Sequence, residues 1–374
     1  MTPAGESPLA SLLRRRIEDG GPIGVDAFMA AALGHPQHGY YATRDPLGRA
    51  GDFVTAPEIS AAFGELLGLW CVTVWRAMGR PTPLRLVELG AGRGTMLVDA
   101  LRAASAAAPD FVAASGVHIV ETGAVLRDRQ RHALAGLASP PSVHWHATMH
   151  DVPAGPLLLL ANEFFDALPV RQWLRRDGRW YERRVAIAPD DALFAFVPGP
   201  PTEDDALGAN LPEQPVDGDI FEACPEAEAL ASTIGARLAA EGGAALIVDY
   251  GHARSGYGDT LQAVRGHRST EPLAEPGAAD LSHHVDFARL RAAAERAGAT
   301  TAGPIAQGLF LGRLGIAARA EAMADAAPSP DRADAILGAI RRLVHPGRMG
   351  LLFKAFAIAD PALPPLPGFE SRRA

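Results

Sequence analysis

The segment "VELGAGRGTMLVDALRA" (Val87–Ala103) constrains the fold more than any other. It begins as an apolar strand, passes through Gly90, Gly92 and Gly94, and continues as an amphipathic helix. A strand feeding a helix through a glycine-rich turn opens a βαβ unit of a parallel sheet. Glycine admits φ > 0 and lets a ligand approach the backbone closely. The helix start adds free N–H groups and a partial positive charge. A phosphate, a carboxylate and an adenosine all suit such a turn.

The surrounding pattern supports that unit. Leu84–Leu89, Gly116–Glu121, Ser142–Ala147 and Gly155–Asn162 read as four strands, and Thr95–Ala107 and Ala124–Ala135 as helices between them. Ala244–Gly251 is a fifth strand, Ala299–Ile305 a weaker sixth, and Met349–Ala359 a final one. The alternation predicts an α/β fold with a mostly parallel sheet and helices on both faces. Val170–Ile187 reads as a hairpin around Asp177-Gly178. Residues 190–220 and 251–280 read as loop, and Ala56–Gly79 as one long buried helix with Pro57 near its start. The expected organisation is a helical region over residues 1–80, including a lid for the ligand, then a catalytic domain over 81–374 with an insertion at about 163–243.

Bulk properties exclude several classes. A net charge of −8 argues against a nucleic-acid backbone binder. Cys71 and Cys224 form no CxxC pair, so neither a disulfide framework nor a zinc site is expected, and a reducing compartment follows. Arg14, Arg15 and Arg16 are followed by Glu18 and Asp19 rather than an apolar run. A cytoplasmic protein without a secretory signal is therefore expected. The most apolar run, "GPLLLLAN", is too short to span a bilayer, so no membrane insertion is expected. The oligomeric state is not legible.

The turn itself narrows the ligand. Its glycines are spaced GxGxG, one place short of the dinucleotide pattern. Glu88 precedes them. Beside a pyrophosphate it would cost about 1–4 kcal/mol at 4 Å. Beside the ammonium and sulfonium of S-adenosylmethionine it would attract. Glu121 closes the second strand, where a carboxylate can accept hydrogen bonds from ribose hydroxyls.

Several segments resemble a known family: "GDFVTAPEIS" (51–60), "FGELLG" (63–68), "VELGAGRGTMLVDALRA", "HIVETGAVLRDRQ" (118–130), "ANEFFDALPVRQW" (161–173), "VDYG" (248–251), "GDTLQAVRGHR" (258–268), "DLSHHVDF" (280–287) and "MGLLFKAF" (349–356). Together they resemble class I S-adenosylmethionine-dependent methyltransferases, and more narrowly the MidA-like family, over nearly the whole chain. The resemblance implies a Rossmann-like seven-stranded sheet and S-adenosylmethionine as cofactor. It implies that Glu88, Gly90, Gly92 and Gly94 hold the methionine end and ribose, and that Glu121 holds the ribose hydroxyls. It also implies a protein arginine acceptor, with a respiratory complex I subunit as the partner. Two departures are Thr122-Gly123-Ala124, where the family more often has serine and proline, and His283, where it commonly has alanine.

Methyl transfer from a sulfonium is a direct displacement, so the protein must align the acceptor and take up a proton. The loop after the fourth strand is the place for this, and "NEFFDALP" (162–169) occupies it. Asn162 is expected beside the cofactor. Glu163 and Asp166 suit a cationic acceptor, with Glu163 forked against a guanidinium. For Asp166 a turn cap is the alternative. His284 is expected to line the acceptor site, with core packing as its alternative. Asp52 and Thr55 are expected on a lid over the cofactor, with helix capping the alternative for Thr55. His144 and His146 alternate on one strand and could hold a metal, but the reaction needs none, and none is expected. The rival functions are a small-molecule methyltransferase, a non-catalytic cofactor-binding assembly chaperone and a nicotinamide-dependent oxidoreductase.

Overall fold

A computed structural model describes residues 7–43, 52, 54–189, 193–203, 207, 211, 212 and 214–370. The chain forms two compact units. The first comprises Met1–Phe53, Phe165–Glu228 and Arg254–Arg289; the second comprises Val54–Phe164, Ala229–Ala253 and Leu290–Ala374.

Seven strands of the second unit lie on one sheet path: β1 (Leu84–Leu89), β2 (Ser115–Val120), β3 (Val143–His146), β4 (Leu157–Asn162), β5 (Gly243–His252), β6 (Thr300–Ala306) and β7 (Phe353–Ala359). Their spatial order is β6-β7-β5-β4-β1-β2-β3. The pairs β1–β2, β2–β3, β1–β4 and β4–β5 are parallel, and β7 is antiparallel to β5 and β6. The chain leaves β1 in one direction towards β2 and β3, and β4 starts the other side. That reversal opens a crevice at the carboxyl ends of β1 and β4, where ligands of open α/β sheets bind. Every residue of β4 is buried. Successive side chains point to opposite faces, so both faces of the sheet are covered. The expected α/β methyltransferase architecture is present.

Two helices of this unit approach closely at two glycines. Helix α1 (Ala61–Ala77) carries Gly64 and Gly68 on the face against α2 (Thr95–Ala107). A Cβ on Gly64 would sit 2.8 Å from the Met96 carbonyl oxygen, and one on Gly68 would run into that of Ala100. Alanine gains about 1 kcal/mol of helix propensity over glycine. Overpacking costs about 1–3 kcal/mol, and more where backbone must move. The steric term wins, so Gly68→Ala is expected to lower the unfolding free energy by about 2 kcal/mol. A denaturation curve showing unchanged or greater stability would refute the close approach.

The single helix expected over Ala56–Gly79 is two. Ser60 is extended, with φ −156 and ψ 132, between a short helix (Ala56–Ile59) and α1, and its side chain accepts from the Ala62 N–H. Serine caps a helix better than it continues one, so a new helix starts there.

The first unit holds the hairpin Arg171–Arg176 and Arg179–Ile187, with Asp177 and Gly178 both at positive φ as a two-residue turn requires. Two stretches expected as loop contain strands. Phe194–Thr202 pairs antiparallel with Arg179–Ile187 despite Pro198, Pro200 and Pro201. Proline is tolerated because the strand has a neighbour on one side only among the described residues. Gln262–Arg265, Arg268–Thr270 and Asp280–Ser282 form a small antiparallel sheet. This unit has its own core, built on Phe28, Met29, Tyr40, Val170 and Val185.

Candidate functional site

The glycine turn after β1 has the backbone that its residue types imply. Gly90, Gly92 and Gly94 have φ of 61, 52 and 83. Gly94 is the N-cap of α2, with no side-chain cap on the first-turn N–H groups. These remain available to a carboxylate. The Gly90 N–H donates to the Val120 carbonyl (3.0 Å). A Cβ at Gly90 would meet the Phe164 ring at 2.6 Å, so the turn and the end of β4 touch.

Glu88, the fifth residue of β1, is 2% exposed, and its Oε2 has no hydrogen-bond partner among the described residues. Burial alone pushes its carboxyl up to about 8. A buried acid without a cation is costly unless a ligand supplies one.

Glu121 follows β2 and is also buried. Its Oε1 accepts from the Gly123 N–H (2.8 Å), and its Oε2 from Gln130 Nε2 (3.3 Å). Burial raises its pKa, and these donors oppose the rise. The unusual Thr122-Gly123 pair thus supplies a backbone donor to the carboxylate.

The end of β4 is bent sharply. Glu163 has φ 49, a left-handed conformation rare outside glycine and found where a site holds it. Its N–H donates to the Val248 carbonyl (2.9 Å). Its Oε1 accepts from the Ala56 N–H and from Asn162 Nδ2, both at 3.1 Å. The next N–H, of Phe164, donates to Oδ2 of the fully buried Asp249 (3.1 Å). The segment carrying Thr55 is fastened to the same place. Thr55 is the N-cap of the Ala56–Ile59 helix without a side-chain cap bond, and Glu58 accepts from Thr95 Oγ1 (2.6 Å).

The second unit therefore brings together Thr55, Glu88, Gly90, Gly92, Gly94, Glu121, Asn162 and Glu163. Asp52, Asp166 and His284 belong to the first unit. The Asp52 carboxylate accepts from Tyr40 Oη (2.7 Å) and from the Gly266 N–H (2.6 Å). Gly51 and Phe53, the rest of the expected lid's start, lie outside the described residues. Asp166 is buried in a short turn, and its carbonyl accepts from the His283 N–H (3.0 Å). The His284 N–H donates to Thr260 Oγ1 (2.9 Å). Gln130 closes "HIVETGAVLRDRQ" and Asp249 lies in "VDYG", but those motifs do not show that Gln130 donates to Glu121 or that Asp249 anchors Phe164.

His144 and His146 share a face as expected, and His118 stacks 5.2 Å from each. Burial, then these neighbours, lowers His118 to about 4. Its Nδ1 lies 2.9 Å from His146 Nε2. Among the described residues no group of three His, Cys, Asp or Glu could hold a metal ion. Nor is any described helix long and apolar enough to cross a membrane.

The donor set fits S-adenosylmethionine. A buried carboxylate whose Oε2 has no partner among the described residues suits its positive charge, an uncapped helix start its carboxylate, and a held acidic group its ribose. It does not fit a pyrophosphate, which Glu88 would repel.

Comparisons with known proteins agree. The model of a family described as "Putative S-adenosyl-L-methionine-dependent methyltransferase" matches residues 66–305. The chain is 39% identical to Protein arginine methyltransferase NDUFAF7 homolog, mitochondrial, of Drosophila melanogaster, over 95% of this chain and 85% of that one. It is 35% identical to Protein arginine methyltransferase NDUFAF7, mitochondrial, of Homo sapiens, over 94% and 84%. A crystal structure from Burkholderia thailandensis, bound to S-adenosyl-homocysteine, aligns with TM-score 0.81 and 29% identity, covering 98% of this chain and 95% of that one. The cytoplasmic expectation is corrected here, because both named relatives are mitochondrial proteins. Unpaired cysteines separate reducing from oxidising surroundings and do not choose between reducing compartments.

Proposed function

The chain belongs to the S-adenosyl-L-methionine-dependent methyltransferase family that its residues 66–305 match, and from that premise we propose that it methylates an arginine side chain of a protein. The observation that carries this reading is the 39% identity, over nearly the full chain, to a relative named as a protein arginine methyltransferase. Glu163 supports it. Its carboxylate stands at the end of β4, held from one side by Ala56 and Asn162. A respiratory complex I subunit is the acceptor that the family resemblance suggests.

The bound cofactor supplies a methyl group on a sulfonium sulfur. Glu88 offsets the positive charge of that group in a buried site, and Glu121 accepts from its ribose hydroxyls. Glu163 orients the acceptor guanidinium, a poor nucleophile with a pKa above about 12. A carboxylate forked against two N–H groups draws the charge away from the nitrogen that attacks. Transfer forms one C–N bond, breaks one C–S bond and releases one proton from the guanidinium, which the Glu163 carboxylate accepts.

The test is to incubate the protein and methyl-labelled S-adenosylmethionine with an extract of cells lacking it, and to locate label by mass spectrometry. The expected result is methylarginine in one protein. Label confined to small molecules would move the acceptor to that class. No label, with the cofactor bound, would favour a chaperone.

A further inference from the structure

We propose that Gln130 is a positioning residue for cofactor binding, holding the Glu121 carboxylate in the orientation that receives the ribose hydroxyls. The inference rests on the assignment of Glu121 as the ribose ligand. Gln130 lies on helix α3 (Ala124–Ala135) and has no solvent exposure. Its Nε2 donates to the Gly92 carbonyl (2.9 Å) and to Glu121 Oε2 (3.3 Å), and its Oε1 accepts from Trp145 Nε1 (2.8 Å). These partners sit on the turn after β1, at the end of β2, and in β3. One amide thus ties together three elements that shape the pocket.

The chemistry requires an amide. The indole N–H only donates, and the Gly92 carbonyl and an ionised Glu121 only accept. The orientation of the Gln130 amide is therefore set by its surroundings. Glutamate would supply no donor when ionised and would repel Glu121. Asparagine is one methylene shorter. A turn earlier on the same helix, Arg127 donates to the Glu121 carbonyl (2.6 Å) and the His146 carbonyl (3.1 Å), which fixes the backbone around the carboxylate. A carboxylate offers about four acceptor sites. The bonds from Gly123 and Gln130 steer it without saturating it.

Calorimetric titration of the full chain with S-adenosylhomocysteine and its 2′,3′-dideoxy analogue tests this. Gln130→Met keeps size and removes the amide. It is expected to weaken S-adenosylhomocysteine about tenfold and the dideoxy analogue less than about threefold. Trp145→Phe removes the indole donor, together with part of the ring, while keeping Gln130, and keeps the test open if the first variant folds poorly. It should show the same ligand dependence, at about threefold. Equal losses for the two ligands, or no loss, would overturn the proposal. Glu121→Ala is the control for the reading beneath it. If that variant still prefers the ribose hydroxyls as the unmodified protein does, the assignment of Glu121 fails. If it loses the preference and Gln130→Met keeps it, only the role of Gln130 fails.

Discussion

Glu88→Gln is expected to raise the stability of the unliganded protein and to weaken S-adenosylmethionine binding by about 10- to 100-fold. The two effects have one cause. Glu88 is buried, its Oε2 has no partner among the described residues, and burial holds its pKa at about 8. The folded state therefore keeps a proton that the unfolded state loses near pH 4.5. A raised folded-state pKa contributes stability below the unfolded value and loses it as pH rises to the folded one. Between about pH 5 and 8 this group lowers stability by up to about 1.4 kcal/mol per pH unit. Glutamine carries no such slope. The variant should match the unmodified protein near pH 5 and exceed it increasingly towards pH 8.

Binding runs the other way. A cationic ligand favours the ionised carboxylate, so binding expels the proton. Affinity of the unmodified protein should rise from pH 6 to 7.5, and that of Glu88→Gln should stay flat. Losing a hydrogen bond to a charged group costs about 1.5–3 kcal/mol, which is about 10- to 100-fold in affinity. Denaturation curves and calorimetric titration at three pH values measure both. Undiminished affinity in Glu88→Gln, or a binding constant of the unmodified protein independent of pH, would remove Glu88 from the cofactor site.

Legibility followed the range of the interactions. Strands β1, β2 and β4 were readable because a strand covered on both faces is a continuous apolar run. Glu88 and Glu121 were readable because a carboxylate ending such a run is conspicuous. The strand Phe194–Thr202 was not, because its prolines mark loops in every local reading, and they are harmless only because the strand pairs on one side among the described residues. Ser60 sits between Ile59 and Ala61 in a run otherwise compatible with one helix, and nothing in its spacing shows that it starts a second helix. Gln130 could not be found, because its three partners are far apart in the chain. The division into units is equally hidden. Phe164 closes one segment of the second unit and Phe165 opens one of the first, so Glu163 and Asp166, three residues apart, fall on different units.

Glu163 carries the last and most informative prediction, because its two roles separate by substitution. As a structural residue it accepts from the Ala56 N–H and Asn162 Nδ2 through Oε1. As the proposed acceptor ligand it supplies a negative charge. Glu163→Gln keeps one oxygen for Ala56 and Asn162 and removes the charge. Glu163→Ala removes both. The positive φ of 49 is unrelieved in either, so backbone strain is common to the pair. If the charge orients the guanidinium, Glu163→Gln should lose about 10²–10³ in methylation rate, the range seen when one preorganised electrostatic group is removed. Its S-adenosylhomocysteine affinity should change by less than about threefold, since the amide oxygen still holds the Ala56–Ile59 segment. Glu163→Ala should add a loss of affinity and of stability of about 1 kcal/mol from the unsatisfied N–H groups. Single-turnover methylation, titration and denaturation of both variants give the three readouts. A Glu163→Gln protein that methylates at the unmodified rate would leave Glu163 only the task of fastening Ala56, and would send the search for the acceptor's carboxylate elsewhere.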